Sequence, residues 1–215
     1  MTKTVSTLVL ILFFNAFLNG QSISGTLTQL MNQPIKLEGF NGFKTYPISS
    51  SSLDEKGNFK LAYSKADYGA GYLISVDEKP LLVILNGEDV EIIGEALSYT
   101  ETIRITKGRE NIWFEQYAKE HPLREQALSA WVYLEKIYSQ DSLFRWQDRT
   151  LENIQTEKLR IKAEDAAYLA KLPKESYVSW FLSTRKLISS VSTVAQYRPD
   201  EIPATILAFR TMDFT

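Results

Sequence analysis

Histidine, paired carboxylates and cysteine are the side chains that most often do chemistry at neutral pH, and this chain uses them sparingly. It has one histidine, His121, and no cysteine. A thiolate nucleophile, a disulfide, a thiolate zinc site, an iron–sulfur cluster and a multi-histidine metal cage therefore all lack their atoms. An imidazole with an ordinary pKa of about 6.5 suits general-base work. His121, however, stands in Lys119-Glu120-His121-Pro122, a polar helix junction with no serine or cysteine nucleophile in a recognisable setting, and a surface or capping role fits it better. The densest acidic pairs, Asp54-Glu55 and Glu88-Asp89, could in principle serve a hydrolase or hold calcium. Both fall in turns, where adjacent side chains point apart, and neither lies in a D-x-D-x-D-G loop, so both read as solvated turns. Gly69-Ala70-Gly71 lacks the helix start and Lys-Ser/Thr pair of a phosphate loop. On this reading no residue takes a catalytic, cofactor-binding or metal-ligating role.

The scaffold around these residues is that of a folded protein. Of 215 residues, 44% are hydrophobic and 23% charged, enough for a packed core. Twenty-four basic and twenty-six acidic residues give a net charge of -2, with no electrostatic footprint for nucleic acid. Residues 1–20 carry Lys3, an apolar run over 8–14 and a small-residue end at Gly20, the pattern of an export signal. The run is too short to span a bilayer, which needs about 20 apolar residues. The expectation is a mature chain starting at Gln21, without a transmembrane span, in the periplasm or cell envelope. No cysteine follows the run for lipid attachment.

Beyond the signal the chain divides in composition. Eight glycines lie between Gly25 and Gly94 and none follows Gly108, while Trp113, Trp131, Trp146 and Trp180 all fall in the later part. Glycine favours turns and weakens helix interiors, so residues 21–100 read as β and residues 101–215 as helical, with a possible hinge at 101–108. Seven strands are expected, over 22–30, 35–40, 45–50, 58–63, 71–76, 81–85 and 90–93. Asn41-Gly42, Asn86-Gly87 and Asp54-Glu55-Lys56-Gly57 are expected as hairpin turns, and Pro47 at an edge or bulge. Strands this close leave no room for crossover helices, which predicts antiparallel sheets in a small sandwich or barrel. Leu81-Leu82-Val83-Ile84-Leu85 is apolar throughout and reads as a central strand buried on both faces.

In the later part, apolar residues recur every three or four positions. Leu123, Ala127, Trp131, Leu134 and Tyr138 form one stripe, opening after Pro122 as a helix start. A second, from Tyr177 through Trp180, Phe181 and Leu187 to Ala195, marks the clearest helix. A helix broken once is expected over 142–172 and a fourth over 200–212, giving antiparallel neighbours in a bundle. Trp131 and Trp180 read as core, Trp146 as a residue that could touch a partner, and the mixed charges over 145–165 as a solvated face. The fold class is α+β.

Taken together, the export signal, Ile23-Ser24-Gly25-Thr26 opening a β unit, the D-x-x-G-x-F run from Asp54 to Phe59, and the helical segments Arg124-Glu125-Gln126-Ala127-Leu128 and Ser176-Tyr177-Val178-Ser179-Trp180 resemble the N-terminal region of Bacteroidetes envelope proteins. In these a β domain and helices precede a thioredoxin-like domain of the TlpA or alkyl-hydroperoxide-reductase (AhpC-TSA) kind. The resemblance implies an exported, non-catalytic accessory region of an envelope thiol-disulfide oxidoreductase, with a thioredoxin-like domain or another envelope protein as partner. The family's Cys-x-x-Cys has no counterpart here, so no catalytic residue carries over; the expectation is a truncated N-terminal portion. The alternative is a free-standing periplasmic module that binds a peptide or glycan.

Overall fold

Alternation sets the strands. In Asn58–Tyr63 the residues Phe59, Leu61 and Tyr63 are buried and those between them exposed, the period of a strand with one dry face. The computed structural model describes residues 20–42, 44–197 and 202–211. The export segment expected over 1–20 lies outside the described residues except for Gly20, as do the ends of the helix expected over 200–212.

Eight strands form two four-stranded sheets. β1 (Gln21–Leu27), β4 (Asn58–Tyr63), β7 (Val90–Gly94) and β8 (Arg104–Lys107) run in the order β4-β1-β7-β8. β2 (Pro34–Asn41), β3 (Lys44–Ser52), β5 (Gly69–Ser75) and β6 (Leu81–Leu85) run β3-β2-β5-β6. Neither order closes on itself. One apolar cluster draws on both sheets, with Ile23, Leu61 and Ile92 from the first and Leu37, Leu73 and Val83 from the second.

Several expectations need correction. β1 and β7 pair in parallel; the long return that parallel strands require runs through β2, β3, β5 and β6 of the opposite sheet and β4 of their own, with no α-helix. Of the three expected hairpins, Asn41-Gly42 joins β2 to its partner β3. Asp54–Gly57 and Asn86-Gly87 instead carry the chain from one sheet to the other, because a turn residue dictates a reversal and not which strands then pair. An eighth strand, β8, occupies the stretch read as a hinge. β6 is buried on both faces as expected, but it is an edge strand, its outer side closed by a helix. Pro47 sits where the β2–β3 register shifts, with Glu38 opposite Pro47 and Leu37 opposite Ser49; a bulge on an edge strand tolerates its missing donor.

Two glycines are required by close approach. A Cβ on Gly25, between β4 and β7, would meet the Ile92 carbonyl oxygen at 1.9 Å. Gly57 holds φ +79 and would drive a Cβ to 2.4 Å from the Leu27 oxygen. In the same turn Asp54 Oδ1 accepts the Lys56 and Asn58 amides, both at 2.8 Å, which delivers Phe59 into the core.

The helices are α1 (Arg109–Gln140), α2 (Asp148–Lys171), α3 (Tyr177–Tyr197) and α4 (Ile202–Thr211). α1 begins thirteen residues before the expected start, with Pro122 in its interior. An interior proline costs about 3 kcal/mol, and the anchors of the first three turns, described below, offset it. α2 is unbroken, and the residues expected to begin it form the turn after α1. α1 and α2 lie antiparallel: Tyr168 meets Trp113, Asp165 meets His121, and Lys158 meets Glu135. No helix among the described residues is long and apolar enough to cross a membrane.

Candidate functional site

The first turns of α1 carry polar residues four apart, at Asn111, Glu115 and Lys119, a spacing that stacks them on one helix face. That face meets the free edges of both sheets. Asn111, fully buried, accepts the Ile84 amide on Oδ1 and donates Nδ2 to the Ile84 carbonyl, each at 2.8 Å. One side chain thus does for β6 what a neighbouring strand would do. At β8 the Ile105 amide donates to Glu115 Oε2 at 3.1 Å, and Lys119 Nζ donates to the Ile103 carbonyl at 3.1 Å. Unpaired backbone groups out of water cost about 1–3 kcal/mol each, so α1 is held wherever those edges are. Nearby, Glu110, also buried, accepts the Val178 amide at 2.7 Å. A carboxylate there complements the N-terminal end of the α3 dipole. Glu88 accepts the Arg109 amide at 2.6 Å.

Further along, three helices converge on one carboxylate. Asp165, 4% exposed, takes His121 Nδ1 on Oδ1 at 2.8 Å and Lys186 Nζ on Oδ2, with Arg124 Nη1 3.6 Å from Oδ1. Burial pushes the Asp165 carboxyl up, but hydrogen bonds from Lys186 and His121 outweigh it and hold the group below the usual carboxylate range. The His121 ring lies flat on Tyr117, centroids 4.6 Å apart, and Tyr117 tilts against Tyr168 at 5.6 Å. Burial, then the Asp165 charge, raises the Tyr117 hydroxyl above its ordinary range. The arrangement orients an imidazole with a carboxylate, as acid–base sites do, but its other members are cations and tyrosines that bind the helices together.

Beside this node, Trp113, Gln116, Tyr168, Lys171 and Leu172 line an open groove of about 250 Å³ between α1 and α2. Tyr168 joins the two features, donating its hydroxyl to the Trp113 carbonyl at 2.7 Å.

The residues weighed from sequence are distributed otherwise. His121 is not a surface cap but part of the Asp165 node. Asp165 itself, assigned to a solvated face, is buried because it falls at the same helical spacing as Ile154 and Ile161. Asp54 holds its turn. Asp89 accepts the Ser22 amide and hydroxyl, both at 3.1 Å, and pairs with Lys107, so both acidic pairs serve turns and strand ends and do not meet. Gly69-Ala70-Gly71 opens β5. Trp131 is half-buried, Trp180 is 38% exposed against Tyr177, and Trp146 is 75% exposed beneath the Arg145 guanidinium. Among the described residues, no three carboxylate or imidazole groups gather as metal ligands. Asn111, Glu115 and Lys119 stand before Pro122, where no apolar stripe marks a helix; their four-residue spacing is the sequence signal that α1 already runs there.

No protein-family model matches the chain, and none of the curated proteins does. Among solved structures, a 9R-lipoxygenase from Cyanothece PCC8801 is similar over 38% of this chain, at 16% identity and a TM-score of 0.25. This chain spans 14% of the lipoxygenase, and a likeness so slight bears on neither fold nor chemistry.

Proposed function

We propose that this chain is an exported, non-catalytic accessory region of a thioredoxin-like envelope oxidoreductase of the TlpA or AhpC-TSA kind, which positions or shields a redox domain supplied elsewhere. In this reading the two sheets act as a small sandwich and the helices as an arm of fixed orientation. The Asn111 clamp on Ile84 carries it: a bidentate, fully buried bond ties the arm to a sheet edge, which is what a positioning element needs and a catalytic cleft does not. The absence of cysteine supports it from the chemical side, since thiol–disulfide exchange requires a thiolate. Two measurements test the reading. The purified chain should give background rates in a disulfide-reduction assay, and it should bind a thioredoxin-like domain saturably. Turnover above background, with contaminants removed, refutes the non-catalytic role, and failure to bind refutes the accessory one.

The Trp113–Tyr168 groove favours a second reading, a module that binds a peptide or glycan, since aromatic walls beside an amide and an ammonium suit both. Saturable binding on a glycan or peptide array, lost in Trp113→Ala and without affinity for a thioredoxin-like domain, would select it.

A further inference from the structure

Two Asn-Gly pairs stand among the described residues, Asn41-Gly42 between β2 and β3 and Asn86-Gly87 between β6 and β7. The dipeptide carries its own chemistry. The backbone nitrogen that follows an asparagine can close a ring on the side-chain carboxamide carbon, and glycine, with no Cβ, gives that nitrogen the least hindered approach and the widest choice of backbone angles. Whether the ring closes depends on the freedom of the pair. At Asn41-Gly42 both residues are exposed, and a Cβ on Gly42 would meet nothing within 4 Å. Asn41 forms the last register pair of the hairpin, with Lys44, so the Gly42 nitrogen lies beyond the ladder. At Asn86-Gly87 both residues are half-buried. Asn86 Oδ1 accepts the Glu88 amide at 3.3 Å, and Gly87 sits against Tyr68, whose hydroxyl would be 2.4 Å from a Cβ there. The Tyr63 hydroxyl donates to the Glu88 carbonyl and ties down the residue that follows.

We propose that Asn41 is a site of spontaneous modification, deamidating through a cyclic imide, and that the fold protects Asn86 from the same reaction. The Gly42 nitrogen gives up its proton to hydroxide and attacks Asn41 Cγ; the new C–N bond forms, the Cγ–Nδ2 bond breaks, and the departing nitrogen takes a proton from water and leaves as ammonia. Water then opens the imide. Addition at Cγ restores the backbone and leaves an aspartate side chain, whereas addition at the backbone carbonyl carbon breaks the old peptide bond and leaves isoaspartate, with the chain running through Cβ and Cγ. No electrons are exchanged at any step. Both products place a carboxylate beside Lys44, and isoaspartate also adds an atom to the backbone at the Asn41–Lys44 pair. β3 is an edge strand, so this end of the sheet has no second neighbour to hold it. Phe40, 39% exposed and 4.9 Å from Tyr72, is the first contact to loosen. The reaction holds whether or not the chain serves a redox domain.

Peptide mapping by mass spectrometry, during incubation of the purified chain at mildly alkaline pH, tests it. The folded chain should deamidate at position 41 at least about tenfold faster than at position 86, and isoaspartate should form. Equal rates at the two positions, or no reaction at position 41, overturn the proposal. Aspartate without isoaspartate would mean direct hydrolysis and overturns the imide route. In urea, where tertiary contacts are lost and both pairs are simply Asn-Gly, the two rates should come within about threefold of each other. A tenfold gap that survives unfolding belongs to the neighbouring side chains and overturns the role of the fold. Isoelectric focusing gives an independent reading: acidic forms should accumulate in the wild type and be strongly slowed in Asn41→Gln, whose longer side chain closes the ring poorly. Acidic forms that appear as fast in the variant place the reaction elsewhere and equally overturn the proposal.

Discussion

In the strands, alternate residues such as Ile35 and Leu37, or Val90 and Ile92, vanish into one apolar cluster that draws on both sheets. Past residue 120 the α1–α2 hairpin buries, among its described residues, only Ile154, Ile161 and a carboxylate, and leaves leucine, tyrosine and tryptophan in water. The strands are held by non-directional burial, which is forgiving of geometry, costly to remove and spread over many residues. The helices are held to β6 and to one another by a smaller apolar cluster, Ile84 with Phe114, Tyr117, Leu172, Val178 and Leu182, and by directional bonds at a few points, Asn111 on Ile84 and Lys186, Arg124 and His121 around Asp165, which fix orientation. A module built this way keeps a rigid base and an arm whose attachment is specific and whose far surface remains available. Opening should begin in the arm.

Substitutions can break or sharpen this contrast. The largest effect belongs to the strands: Leu37→Ala, in a fully buried site, should cost about 3–4 kcal/mol, read as a lower urea midpoint of the whole protein. A cost below about 1 kcal/mol would mean the two-sheet core is not what holds the base. Asn111→Ala should cost about 2–3 kcal/mol, because it strands the Ile84 amide and carbonyl. Its mark is faster hydrogen exchange at Ile84 with the other β6 amides little changed, and uniform exchange across the protein would mean that the clamp is not local.

Asp165→Asn comes next, at about 2 kcal/mol, as it leaves Lys186 and Arg124 without their shared counter-ion. The pH dependence has a definite sign. Because the folded carboxyl lies below its ordinary value, its contribution is present above the unfolded pKa of about 3.9 and is lost as pH falls below that. Helical circular dichroism should therefore decline as pH drops below about 4 in the wild type, and this acid step should shrink in Asp165→Asn. A step of equal size in both would place the acid sensitivity in other carboxylates. The smallest effect is Leu123→Ser, which should move monomer stability by no more than about 0.5 kcal/mol, since the side chain is largely in water; a larger cost would show that the arm has a core of its own.

Much of the strand grammar was legible without coordinates, because period-2 burial and turn residues are local signals: β4, β6 and the Pro47 bulge fall where the residues put them. The parallel pairing of β1 with β7 was not, since register partners as distant in sequence as Ile23 and Val90 leave no mark in either segment. The same holds for α1. Pro122 looks like a helix start until the edges of β6 and β8 supply a reason to wind three turns earlier. His121 and Asp165 each look solvated until two helices bring them within 2.8 Å.

What the sequence determined alone was chemical inventory and local shape: no thiolate, one imidazole, strands in the first part and amphipathic helices after them, because those follow from side-chain atoms and from periods of two and 3.6 residues. What the tertiary structure decided was which polar groups lose water together. Asn111, Glu110 and Asp165 carry no label as buried residues, and their roles arise where distant backbone edges and charges must be satisfied at once.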